Sequence, residues 1–205
     1  MKKRLISVML VFVLCFCTAA VAFADDLDYS QWDSHAGYPS DVLNTKLFTS
    51  VKFLMDRKIF SGDSDGLFHP NKNISRAEFA TIIARATNNA NDLESVVKEE
   101  LFTDLEGHWA KAYINAASKA GLVNGVGDGK FAPDANVTYA EVITVLIRMN
   151  EGATSTAEVM AATWPDNYIA YAETYNMKGN VVIYDWNAPA TKGDVSELLY
   201  RRIPK

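Results

Sequence analysis

The stretch that decides the fold is Ser75-Arg76-Ala77-Glu78-Phe79. A hydroxyl residue followed three positions later by Glu is a capping box. The Ser side chain takes the N–H of the third helical residue, and the Glu reaches back to the N–H of the cap. The apolar residues beyond it, Phe79, Ile82, Ile83 and Ala86, fall on one stripe at helical spacing. The arrangement recurs twice. Thr138-Tyr139-Ala140-Glu141 opens the stripe Val142, Val145, Leu146 and Met149, and Thr191-Lys192-Gly193-Asp194 opens Val195, Leu198 and Leu199. Three capped helix starts with the same apolar offsets are the mark of an internal repeat.

Upstream of the first cap, Gly62-Asp63-Ser64-Asp65-Gly66 reads as a turn. Leu67-Phe68-His69-Pro70 reads as a short extended piece, because Pro70 disfavours helix at His69. Residues 62–85 align with 125–148 without a gap, and ten of 24 positions are identical. They include Gly62/Gly125, Asp65/Asp128, Phe68/Phe131, Glu78/Glu141 and Arg85/Arg148. The prefaces differ. Phe102-Thr103-Asp104 and Gly107-His108-Trp109-Ala110 lead into a helix from about 109 to 120, whereas the first repeat shows no such preface. There, Ser40 and Asp41 are predicted to cap a helix running to about Lys58. In the third repeat the Asp-Gly turn is replaced by Val181-Val182-Ile183-Tyr184. Trp164-Pro165-Asp166 stands there for Phe102-Thr103-Asp104, and Tyr168-Ile169 for Tyr113-Ile114. Two further helical stretches, 92–101 and 155–162, link the repeats.

The first residues read as an export signal: basic Lys2, Lys3 and Arg4, an apolar run to Val21, and the small-x-small site Ala22-Phe23-Ala24. Both cysteines, Cys15 and Cys17, fall inside it, and Leu14 and Phe16 before them do not suit lipid attachment. The exported chain from Asp25 is expected to lack thiol chemistry and an integral membrane segment, and to carry no cargo domain. It has 17 basic residues against 25 acidic ones, a net of −8. That balance argues against nucleic acid as a partner, and any anionic ligand must be held by local donors.

The organisation expected is a signal peptide at 1–24, a lead-in at 25–43, a first repeat at 44–90, a linker helix plus second repeat at 91–152, and a linker helix plus degenerate third repeat at 153–205. No single repeat of helix, turn, extended piece and capped helix can bury both helical stripes alone. Three packed about a common axis can, which predicts an all-α, pseudo-threefold bundle of three helix–turn–helix repeats.

The second repeat, Phe102-Thr103-Asp104 through His108-Trp109-Ala110, Gly121-Leu122-Val123-Asn124-Gly125 and Asp128-Gly129-Lys130-Phe131-Ala132-Pro133 to Thr138-Tyr139-Ala140-Glu141, resembles the S-layer homology family. Ile74-Ser75-Arg76-Ala77-Glu78 matches that family's Ile-Thr-Arg-Ala-Glu signature nearly intact. The resemblance runs from about Asn44 to Ile203. It implies a three-pronged spindle that anchors proteins non-covalently to a secondary cell-wall polysaccharide, often pyruvylated. The ligand is implied to sit in grooves between repeats, with the signature Arg as a main contact.

The residues suggest how such a ligand would be held. A helix N-terminus offers backbone N–H donors and a positive dipole end. Ser75, Thr138 and Thr191 fix the local backbone, and the next residue points outward: Arg76 with a bidentate fork, Lys192 with charge only, Tyr139 with a hydroxyl and a ring. Trp109 offers a flat face to a sugar, and Gly62 and Gly125 let backbone approach the ligand. The strongest groove is expected at Arg76, a weaker one at Lys192, the weakest at Tyr139. Asp63-x-Asp65-Gly66 lacks the rest of a calcium loop, His35, His69 and His108 lie in separate contexts, and no nucleophile–base or paired-carboxylate set stands out. No cofactor, metal or catalytic residue is assigned. The reading left beside anchoring is a bundle that meets another surface protein and has lost most polysaccharide binding.

Overall fold

The computed structural model of the chain describes residues 37–149 and 163–205. The signal segment, most of the lead-in, His35 and the predicted 155–162 helix lie outside these residues. The described body, from Tyr38 to Lys205, is helical and contains seven helices among the described residues. They are α1 (Phe48–Asp56), α2 (Arg76–Ala86), α3 (Leu93–Val96), α4 (Lys111–Lys119), α5 (Tyr139–Arg148), α6 (Asp166–Thr174) and α7 (Lys192–Tyr200). The only ladder-type pairings among these residues are isolated bridges, so the fold is all-α.

The predicted caps form. Ser75 accepts from Glu78 N and Thr138 from Glu141 N, and in both helices the Glu carboxylate returns to the cap's backbone N–H. Thr191 accepts from Asp194 N, but the shorter acid makes no return bond in α7. The stripes are buried as their spacing requires: Ile83, Val142, Ile143 and Leu199 have no exposure.

Apart from the short α3, which packs on the following α4, helix partners are not sequence neighbours within a repeat. The capped helix α2 of the first repeat packs on α4 of the second, α5 of the second on α6 of the third, and α7 of the third on α1 of the first. The extended segments before the caps follow the same order, bridging Ser75 to Asn136, Thr138 to Pro189 and Asn73 to Thr191. The pairing closes into a cycle, and one continuous core runs through it.

Three elements differ from the sequence reading. Asp41 does not cap a helix; α1 begins at Phe48 without a side-chain cap. Asp41 instead accepts from the N–H of Phe68 at 2.9 Å and of His69 at 2.7 Å. Asp104 does the same for Phe131 and Ala132, at 2.9 and 2.8 Å. The first repeat therefore has its preface after all, ending at Asp41, and Val42 beside it is fully buried. The piece before Pro70 is not extended throughout: His69 has φ 55°, as Ala132 has φ 56°. Both are non-glycine residues in the left-handed region, and each is held by the carboxylate that grips its N–H. In the 92–101 stretch only the short α3 forms, with Asp92 accepting from Ser95 N.

Candidate functional site

The first helical residue of each capped helix points inward, not outward. Arg76 is 8% exposed, Tyr139 8% and Lys192 4%. The cause is the cycle, which drives each helix start into the turn of the next repeat. Arg76 Nε donates to Phe131 O and Nη2 to Asn124 O, both at 2.8 Å, and Nη1 pairs with Glu141. Its guanidinium lies 4.6 Å from the centre of the Phe131 ring. Burial pulls the Arg76 pKa down, with the charges of Glu141 and Asp104 opposing. Lys192 Nζ donates to Asp63 at 2.8 Å, over the Phe68 ring. The Tyr139 hydroxyl donates to Asp194 at 2.5 Å, and burial followed by that carboxylate pushes the phenol up to about 12.

The helix-start N–H groups expected to receive a carboxylate are already bonded. Arg76 and Ala77 donate to Ala135 O and Pro133 O, Tyr139 and Ala140 to Ala188 O and Trp186 O, and Lys192 and Gly193 to Lys72 O and Pro70 O. The third N–H in each case goes to the cap hydroxyl. Ser75, Thr138 and Thr191 thus close helix ends, and the N–H groups there are already satisfied.

Two grooves bring side chains together. The first, a cavity of about 520 Å³, is walled by the Asn124–Val126 turn and Phe131, with Arg76, Glu141, Thr144, Arg148, Trp164 and Tyr168 around it. The second, about 200 Å³, holds the corresponding residues: Lys192, Asp63, Glu78, Thr81, Arg85 and Trp109. Of the predicted residues, Arg76 and Gly125 meet in the first groove, and Lys192 and Trp109 in the second. Gly125 also has an internal reason to lack a side chain. A Cβ there would lie 2.5 Å from Lys130 O and 2.7 Å from Phe102 Cε1. Gly62 is less tightly closed, with Leu67 O 3.3 Å from such a Cβ. Tyr139 lies with Asp194, away from both.

Trp109 is 61% exposed and lines a groove wall. Its partner in the first groove, Trp164, is the residue the sequence reading missed. Trp164 is 53% exposed, and its Nε1 donates to Thr144 Oγ1 at 3.0 Å. The signal was present: the register that sets Tyr168 on Tyr113 sets Trp164 on Trp109, not on Phe102. Arg85 and Arg148, identical in the duplicated segment, also went unassigned. Among the described residues, no cluster of three or more His, Cys, Asp or Glu side chains could hold a metal ion.

Comparison with known proteins identifies the repeats. The family model for the S-layer homology domain matches residues 40–80 and 101–143, and so begins beside Asp41 and ends within α5. A cellulosome-anchoring protein of Acetivibrio thermocellus is 35% identical over 76% of this chain and 36% of its own length. A cell surface protein of Thermoanaerobacter kivui is 29% identical over 98% of this chain and 24% of its own length. An endoglucanase of Bacillus sp. is 33% identical over 55% of this chain, which is 12% of that enzyme. The chain therefore spans about a third or less of the length of each of these relatives. With two matched repeats whose caps, turns and clamps recur in space, the chain belongs to the S-layer homology family.

Proposed function

We propose that this chain is a non-enzymatic, exported anchoring module that holds an acidic cell-wall polysaccharide in the grooves between its repeats. The observation that carries the reading is the first groove. Trp164 is fixed by its one polar atom yet keeps its face open, and two arginines line the same cavity. A flat aromatic wall suits the apolar face of a pyranose, and guanidinium forks suit a carboxylate. A sugar-borne acid such as a pyruvyl ketal combines both features. The relatives, an anchoring protein and a cell surface protein by name, support the same location, the cell surface. The pseudo-threefold bundle is the architecture we infer behind the cyclic pairing of helices.

A second reading, docking of another surface protein, is favoured by the replaced turn of the third repeat, where Val182 is 64% and Tyr184 96% exposed.

Co-sedimentation with cell-wall sacculi of the producing bacterium decides between them. The anchoring reading expects binding to intact sacculi that disappears once the secondary polysaccharide is stripped chemically. A folded chain that ignores the polymer, while a Tyr184→Ala variant loses a cross-linked protein partner, would favour the second reading.

A further inference from the structure

Among the described residues, each groove contains a cation in an ion pair and an arginine in none. In the first groove Arg76 is paired with Glu141. In the second Lys192 is paired with Asp63, 2.8 Å away. The cations left over sit at the far ends of the capped helices. Arg148 donates to Leu122 O at 3.2 Å and lies 5.8 Å from the centre of the Tyr168 ring. With the Asn124 amide oriented to satisfy its neighbours, its oxygen accepts from both Arg148 Nη atoms, at 3.3 and 3.2 Å. Arg85 reaches the Tyr113 hydroxyl at 3.4 Å and lies 5.1 Å from the centre of that ring.

Neither arginine has a carboxylate partner among the described residues. Neutral carbonyl, amide, phenol and ring groups fix the direction of a guanidinium without cancelling its charge. Both arginines are partly buried, so that charge is less screened than on open surface. The construction occurs twice, with Thr81 and Thr144, Tyr113 and Tyr168, and Trp109 and Trp164 in matching places.

We propose that Arg148 in the first groove, and Arg85 in the second, are the residues that take the carboxylate of the acidic sugar, while Arg76 and Lys192 serve as struts between repeats. This rests on the anchoring reading. It also limits the chain to two acid-binding grooves. In the third repeat Arg201 occupies the equivalent position, but Glu197 stands where Thr81 and Thr144 stand, and it accepts from Ser50 at 2.6 Å. Asp194 adds a second carboxylate there, held by Tyr139. Two carboxylates there face one guanidinium, with the neutral Tyr139 where the second groove has Lys192 to offset Asp63, and that excess of negative charge repels an acidic ligand.

The test is binding of the full exported chain to sacculi of the producing bacterium, native or with carboxyl groups methyl-esterified. Arg148→Gln is expected to weaken binding to native sacculi about tenfold, the loss of one charge-assisted contact. Arg85→Gln with Arg148→Gln is expected to abolish most of the rest, with melting temperature unchanged. Esterification should weaken the wild type and leave the double variant's residual binding where it is. Wild-type binding that the double variant matches, or that esterification does not change, overturns this assignment alone. No polymer-dependent binding by the wild type overturns the anchoring reading and the assignment with it.

Discussion

Arg76 donates to two backbone carbonyls and one carboxylate of the following repeat, all from a buried position. Truncating it leaves Phe131 O and Asn124 O without their donor and Glu141 without its counter-charge. Arg76→Ala is therefore expected to cost about 3 kcal/mol, the range for breaking a buried pair by removing one partner, read as a lower melting temperature. Arg76→Lys should recover only part of it, because one ammonium cannot span three acceptors in a fixed plane. If Arg76→Ala melts with the wild type, the strut role is wrong and the residue is free for a ligand. The residue type was legible in the sequence, and its direction was not. On an isolated helix the first position faces solvent, and only contact with Phe131 and Asn124, some fifty residues away, turns it inward. The exposure of Trp164 was likewise beyond a local reading, since an indole at a helix start is more often core.

The helices themselves were legible, because a cap and a stripe are local patterns, and Ser75, Thr138 and Thr191 all cap as expected. What failed was α1, where Asp41 looks like a cap but grips the N–H groups of Phe68 and His69. The constant shift that aligns 62–85 with 125–148 also sets Asp41 on Asp104, so the clue lay in the repeat and not in the local pattern. The second residue of each capped helix, Ala77, Ala140 or Gly193, is small for a related reason: a carbonyl of the next repeat sits on it, and a Cβ at Gly193 would already lie 3.0 Å from Pro70 O. The clamp carries a pH prediction. Burial alone would raise the Asp104 pKa, but the N–H donors of Phe131 and Ala132 and the charge of Lys130 outweigh it, leaving it below the usual carboxylate range. A folded pKa lower than the unfolded value of about 3.9 gives stability that is complete above that value and lost as pH falls through the folded pKa. The melting temperature should drop below about pH 4. Asp104→Asn should melt lower than the wild type at neutral pH and show a shallower acid drop. An identical acid slope in the variant would remove Asp104 from the explanation.

At the scale of the whole molecule, the cycle makes the last helix a partner of the first. Leu54 and Val51 on α1 are fully buried, and α7 is the helix packed against α1. The start of α7 also takes Lys72 O and Pro70 O, and Glu197 meets Ser50. A chain of independent repeats would lose only its own third repeat on truncation. A closed cycle loses the seam on both sides, because the apolar face of α1 loses the cover of α7 and Tyr139 at the start of α5 loses its acceptor Asp194. Deleting residues 191–205 is thus expected to abolish the cooperative thermal transition of the entire body, followed by far-ultraviolet circular dichroism. A synthetic peptide of residues 189–205 added in trans should restore helicity in a saturable way, since it brings back both the seam and the N–H donors of Lys192 and Gly193 to the carbonyls of Lys72 and Pro70. A truncated chain that melts cooperatively at the wild-type temperature would mean that the first two repeats stand alone and that the cycle is not what holds them.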